Sequence, residues 1–181
     1  KIEVRNKYNH ELVDVVPSAD ENDIKRAIDT AEAGFQMASS LPTHKRMAIL
    51  KNTVSIIEKN QEEFAHLIAM EGIKTIREAR REVYRGINTL AIAAEEARRI
   101  VGETLPFDSV QGSENRVGYY FRYPIGIIAA IVSFNDPLTL AAHKLGPAIA
   151  SGNAIILKPS EMTPLTALKL GETLLKAGLP P

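Results

Sequence analysis

Two stretches combine reactive side-chain types with an abrupt end to an apolar run: IVSFNDPL (131–138) and LKPSEM (157–162). In the second, Lys158 and Glu161 lie three residues apart across a turn opened by Pro159, so both can point into one crevice. Together they match a vicinal diol, the ammonium donating and the carboxylate accepting, as an acid at a strand end does toward the ribose in NAD sites. The same carboxylate would repel a 2′-phosphate. An exposed ion pair beside a helix start is the commoner outcome of this spacing taken alone. In the first stretch, Asn135 offers a neutral amide with two N–H donors. That suits an oxyanion hole, where loss of one donor costs on the order of 100–1000-fold in rate. An asparagine followed by proline in the first turn also caps helices, and position alone favours that role. The two roles are compatible.

Other candidate chemistry is sparse. His10, His44, His66 and His143 are scattered without metal-ligand spacing, and no metalloprotease, nucleophile-elbow, phosphate-loop or dinucleotide glycine motif occurs. His143 and Lys144 follow Asn135 on the same apparent helix and read as helix-surface residues. There is no cysteine, which excludes disulfides, cysteine-metal sites and a thiol nucleophile within these residues.

The elements that must position these side chains are legible from periodicity. IEV and LVDVVP read as short strands about a turn at Asn9-His10. Ser18 and Glu21 have capping-box spacing and open a helix with Ile24, Ala27, Ile28, Ala31 and Phe35 on one face. A second helix begins at Pro42-Thr43, with Met47, Leu50, Val54 and Ile57 as its stripe. QEEFAHLIAMEG reads as a third, stopped by Gly72. The fourth runs from Ile76 to Val101, with Ile76, Ala79, Val83, Ile87, Leu90, Ala94 and Ala97 inward. Its other face carries Arg77, Arg80, Arg81, Glu82 and Arg85, which reads as solvated or facing a subunit partner. Residues 102–115 read as a loop and 116–124 as a strand. GIIAAIVSF is apolar enough for a strand covered on both faces, and NAIILK is a second such strand. Helices follow each, the last from Leu165 to Lys176. The second half is therefore a βαβα unit with parallel strands. Both polar stretches then fall at C-terminal strand ends, where open α/β sheets collect ligands.

Composition narrows the class. The chain has 181 residues, 22 basic and 22 acidic, 45% hydrophobic and 24% charged. That suits a globular protein with a real core and favours neither nucleic acid nor an anionic membrane surface as partner. The longest apolar run is too short to span a bilayer. The first residues, KIEVRNKYNH, lack a signal-peptide core, and a cytoplasmic location is the expectation.

The stretch YPIGIIAAIVSFNDPLTLAAHKLGPAIASGNAIILKPSEMTPLTAL closely resembles the aldehyde dehydrogenase superfamily. The Pro-x-Gly strand entry at Pro124 and Gly126, Phe134-Asn135-x-Pro137, HKLGPAIASGN and LKPSE…TPL match in order and spacing. EGIKTIREARREV looks like the family's N-terminal region, so the likeness covers essentially the whole chain. It implies an α/β fold with N-terminal helices (1–115), an oligomerisation-sheet strand (116–123) and the first part of a Rossmann-like cofactor-binding unit (124–181). It implies NAD- or NADP-dependent oxidation of an aldehyde through attack by a cysteine, with Asn135 holding the developing oxyanion and Lys144 in proton relay. Lys158 and Glu161 would bind the adenosine ribose, with Pro159 and Ser160 beside them. Ile131, Val132, Ser133 and Phe134 would line the nicotinamide side of the cleft. Glu161 points to NAD over NADP. Ser133-Phe134-Asn135-Asp136-Pro137 departs from the common Pro-Trp-Asn-Phe-Pro and looks like branches handling lactaldehyde or phosphonoacetaldehyde. EGIKTIREA lacks the usual Gly-Lys-Pro. The expected nucleophile and general base have no counterpart here, so the expectation is the N-terminal portion of a longer enzyme, a homodimer or homotetramer acting on a small aldehyde. The alternative is a non-catalytic nucleotide-binding or assembly module of the same fold.

Overall fold

The computed structural model describes residues 1–181. Strands β1 (Ile2–Arg5) and β2 (Leu12–Val16) form an antiparallel hairpin, whose turn holds His10 at φ 62°. Four helices follow: α1 (Glu21–Ser40), α2 (Thr43–Lys59), α3 (Gln61–Glu71) and α4 (Ile76–Glu96). The cap of α1 is Asp20, not Ser18. Its carboxylate accepts from the backbone of Asn22 and Asp23, and Asp23 reciprocates to the Asp20 N–H. An aspartate two residues closer to the helix displaces the serine as acceptor. Helix α3 stops at Gly72 as expected, but in an extended rather than left-handed conformation. A Cβ there would lie 2.8 Å from the Ile68 carbonyl.

From Ala79 onward the inward stripe of α4 is buried as its spacing requires, with Ile76 partly buried against it, and together with Leu50, Ile57, Phe64 and Ile68 it forms one core. The helix ends five residues earlier than the periodicity suggests, passing into a 3-10 turn at Ala97–Arg99. The expected loop over 102–115 contains a strand, β3 (Glu103–Leu105), which pairs antiparallel with β4 (Gly118–Tyr120). Three residues are too few to show period-2 alternation, and the pairing depends on close approach at Gly102, where a Cβ would lie 1.8 Å from the Tyr120 carbonyl. The 116–124 strand is thus shorter than expected and already paired on one edge. Tyr119 within it and Val117 and Phe121 at its two ends remain exposed.

The second half is the parallel βαβα unit: β5 (Ile127–Ile131), α5 (Pro137–Ala150), β6 (Ala154–Lys158) and α6 (Pro164–Lys176). The buried Asn153 side chain accepts the N–H groups of Ile125 and Gly126 at 2.8 and 3.0 Å and so fixes the entry to β5. Gly126 sits there at φ 122°, open only to glycine without strain. The expectation that β5 is covered on both faces is met on one. Ala130 and Val132 point into the core, whereas Ile131 on the other face is 66% exposed. α1 packs along β6 more than β5, and the first half of its own apolar face, Ile24 and Ile28, stays exposed. No helix is long and apolar enough to cross a membrane.

Helices α4 and α5 cross closely because glycine lies on each side. A Cβ on Gly86 would meet Leu138 at 2.9 Å, and one on Gly146 would meet the Ala93 methyl at 3.0 Å. Gly86→Val should therefore destabilise the protein by about 1–3 kcal/mol through overpacking, read from urea denaturation. Arg77→Val, at an exposed position of the same helix, should change stability far less.

Candidate active site

Strands β5 and β6 run in parallel register from Ile127 opposite Ala154 to Ile131 opposite Lys158. Their C-terminal ends therefore coincide, and Val132 extends the pairing by donating its N–H to the Lys158 carbonyl at 3.0 Å. The two polar turns leave the sheet side by side. Thr163 ties them together, its hydroxyl donating to the Phe134 carbonyl at 3.2 Å.

In the second turn the Lys158 ammonium donates to Glu161 Oε2 at 3.2 Å, with both side chains more than 60% exposed. The Glu161 backbone N–H, followed by Lys158, holds the Glu161 carboxyl below its ordinary range. The pair is formed and open to solvent, which serves equally as a surface ion pair and as a donor–acceptor couple for a diol. Ser160 is buried and its hydroxyl accepts from the Met162 N–H, so it shapes the turn. Pro159 is partly buried between them.

In the first turn Asn135 is exposed and does not cap α5. Its Oδ1 accepts from the Ser133 hydroxyl at 2.8 Å, and its Nδ2 lies 3.4 Å from Asp136 Oδ2. One amide N–H is thus left without a protein acceptor. Ile131, Ser133 and Phe134 are exposed around it. Val132 is not. Strand alternation turns its side chain into the core, so it can offer a ligand only its backbone. Lys144 is exposed on α5, seven residues past the helix start, or about 10 Å along the axis. No hydrogen bond joins it to Asn135. His143 lines a separate open groove of about 450 Å³ with Ile92, Ile100 and Pro147.

The residues that hold both turns were not singled out by sequence. The cap of α5 is supplied by α4: buried Glu82 accepts the Leu138 N–H at 2.8 Å and the Thr139 N–H at 3.4 Å. This contradicts the placement of Glu82 on the solvated arginine face. The cap of α6 is supplied by α3: buried Glu71 accepts the Leu165 and Thr166 N–H groups at 2.7 and 2.8 Å. Lys74 bridges Glu82 to Asp136, and Arg85 reaches Asp136 at 2.6 Å. A usable signal existed. Glu82 lies three residues after Ala79 and four before Gly86, and Glu71 lies three after Ile68, so both fall on inward stripes. Arg77, Arg80, Arg81 and Arg85 do form an open basic concavity with Tyr84.

The family model described as the aldehyde dehydrogenase family matches residues 1–181. The chain belongs to that family. It is 47% identical over 179 residues to aspartate-semialdehyde dehydrogenase 1 of Pseudomonas canavaninivorans, covering 99% of this chain and 38% of that protein. It is 43% identical over 180 residues to 3-sulfolactaldehyde dehydrogenase of Priestia megaterium, covering 99% and 37%. Among solved structures, aldehyde dehydrogenase 21 of Physcomitrella patens, in complex with the reaction product succinate, superposes with a TM-score of 0.93 at 41% identity, covering 99% of this chain and 37% of that one. The NADP complex of glyceraldehyde-3-phosphate dehydrogenase from Methanocaldococcus jannaschii gives 0.91 at 37%, covering 98% and 38%. The chain therefore has the aldehyde dehydrogenase fold and spans a little over a third of the length of these relatives.

Burial pushes the Glu71 carboxyl above its ordinary range, against the opposing pull of the Thr166 and Leu165 N–H groups. The folded state thus binds this proton more tightly than the unfolded chain. Its stabilising contribution is full below the ordinary glutamate range and is lost as pH rises through the folded-state value. Compared with non-titrating Glu71→Gln, the unmodified protein should gain relative stability as pH falls from 7 toward about 4.3. Urea midpoints across that interval measure the difference, and a gap that moves the other way contradicts the assignment.

Proposed function

We propose that this chain supplies the oxyanion donor and the adenosine-ribose site of an NAD(P)-dependent aldehyde dehydrogenase acting on a small aldehyde that carries an acidic group. What supports this most directly is the meeting of Asn135 and the Lys158–Glu161 pair at the same ends of adjacent parallel strands, in a chain of this family. The ammonium offers donors and the carboxylate offers acceptors within 3.2 Å of each other, which fits the two hydroxyls of a ribose. Lys158 and Glu161 would hold the adenosine ribose, Pro159 and Ser160 would shape that turn, and Ile131, Ser133, Phe134 and the Val132 backbone would flank the nicotinamide side. Bound NAD(P) supplies the hydride acceptor.

The chain's own contribution to chemistry centres on Asn135. A cysteine thiolate adds to the aldehyde carbon, the C=O π pair moves onto oxygen, and the free Asn135 N–H donates to that oxyanion. As the oxyanion collapses, the hydrogen on carbon leaves with its electron pair, giving a thioester that water hydrolyses to the acid. These 181 residues hold no cysteine, so the nucleophile is expected in the part of such proteins that this chain does not span. Lys144 is proposed to relay a proton near that nucleophile. The exposed aromatic edge at Tyr119 and Phe121 is proposed as part of a homo-oligomer sheet.

The acidic substrate class rests on the names of relatives: aspartate semialdehyde, 3-sulfolactaldehyde and malonate semialdehyde, together with succinate as product. The basic concavity on α4 is compatible with it. Glu161 would repel a 2′-phosphate, which favours NAD over NADP in this protein.

Two measurements on the protein expressed from its intact gene test this reading. Turnover with NAD⁺ should be faster on succinate, malonate and aspartate semialdehydes than on propionaldehyde. No turnover of any of them would leave the non-catalytic module as the reading. In calorimetric titration, Lys158→Ala and Glu161→Ala should each weaken NAD⁺ binding by about tenfold, and Glu161→Ala should narrow the gap to NADP⁺. Unchanged affinity in both variants would remove the ribose assignment.

A further inference from the structure

The ion pairs around Asp136 have no part in the scheme above. Asp136 directly follows Asn135 and begins α5, yet its side chain caps nothing in that helix. Its Oδ1 instead accepts from Lys74 Nζ and from Arg85 Nη2, the latter at 2.6 Å. Both cations come from α4 and the segment just before it, and Lys74 is anchored in turn on buried Glu82. The second oxygen, Oδ2, faces Asn135 Nδ2 at 3.4 Å.

A carboxylate only accepts, whereas the Ser133 hydroxyl on the other side of Asn135 can donate or accept. Asp136 therefore decides which way round the amide sits. With the nitrogen turned toward Asp136, one N–H is directed at the carboxylate and the other is open to a ligand. With the amide flipped, Oδ1 would face a carboxylate oxygen and the N–H donors would move to the Ser133 side, away from the position they now hold.

We propose that Asp136, clamped by Lys74 and Arg85, is a positioning residue that sets the orientation of the Asn135 amide. This rests on the assignment of Asn135 as oxyanion donor. It gives the Asn-Asp-Pro sequence a task that a hydrophobic residue between Asn135 and Pro137 could not perform. The Lys74 and Arg85 contacts register the Asn135 turn against α4 and the segment before it.

The test uses the protein expressed from its intact gene and the aldehyde turned over fastest among those named above. Asp136→Ala and the isosteric Asp136→Asn are compared with Asn135→Ala and with both double variants. Each Asp136 substitution should lower kcat by about 10- to 100-fold, the usual cost of a misplaced catalytic group, with the KM for NAD⁺ unchanged. Neither should lower kcat further once Asn135 is alanine, because the effect passes through that amide. Arg85→Met, which removes one cation from Asp136 and leaves Glu82 paired with Lys74, should lower kcat in the same direction and Arg85→Lys should largely avoid it, which keeps the question open to measurement if Asp136→Ala fails to fold. Multiplicative effects in the double variants, or undiminished kcat in folded Asp136→Asn, would overturn the proposal. Undiminished kcat in Asn135→Ala would instead remove the oxyanion assignment on which it rests.

Discussion

The structure depends on two glutamates buried at the first turns of helices to which they do not belong. The N-terminus of a helix leaves N–H groups without intrahelical acceptors and carries the positive end of the helix dipole. Neither α5 nor α6 receives a side-chain cap from its own flanking residue; Asp136 and Thr163 make no such bond, and each helix opens on proline. The acceptors come from the N-terminal layer, Glu82 on α4 and Glu71 at the end of α3. Burying a carboxylate is costly unless its oxygens are satisfied. Each of these oxygens is satisfied by N–H groups, or for Glu82 by N–H groups and Lys74. The helical half is thus hydrogen-bonded into the first turns of the α/β unit's helices rather than laid against them as a separate body.

That arrangement explains why the two polar turns can be held at all. Each lies between the end of a strand and the start of a trans-capped helix. The strand end is fixed by the β5–β6 register, and the helix start is fixed by a buried carboxylate. Only the few intervening residues are free to adjust, and the Thr163–Phe134 bond joins the two turns. A surface turn of polar residues gains the definition of a core element by being tied at both ends. That is what the oxyanion role proposed for Asn135 would require, since the benefit of such a donor depends on preorganised direction.

Much of this was legible in the sequence, for identifiable reasons. The long helices announce themselves through stripes such as Ile76, Ala79, Val83, Ile87 and Leu90, and the parallel unit through two apolar runs that each precede a helix. The positions of Asn135 and Lys158–Glu161 at strand ends follow from that order. What was not legible depends on partners distant in sequence. Strand β3 exists because β4 lies beside it. Ser18 lost the α1 cap to Asp20 because two acceptors compete for the same N–H groups and the nearer one has the geometry. Val132 looked like a cleft residue in a run of four, but alternation sends it inward while Ile131 faces out. Glu82 was hidden in an arginine-rich segment, where its charge suggested solvent while its spacing placed it on the buried stripe. Charge and periodicity disagreed there, and periodicity prevailed because the uncapped α5 terminus supplied the acceptor's partners.

The central claim is that the first turns of α5 and α6 are capped from the helical layer, and amide hydrogen exchange reads it directly. The N–H groups of Leu138, Leu165 and Thr166 should exchange as slowly as interior amides of α4, because each is held by a buried carboxylate. Exchange at the rate of a frayed, solvated helix start at these three positions would contradict the account.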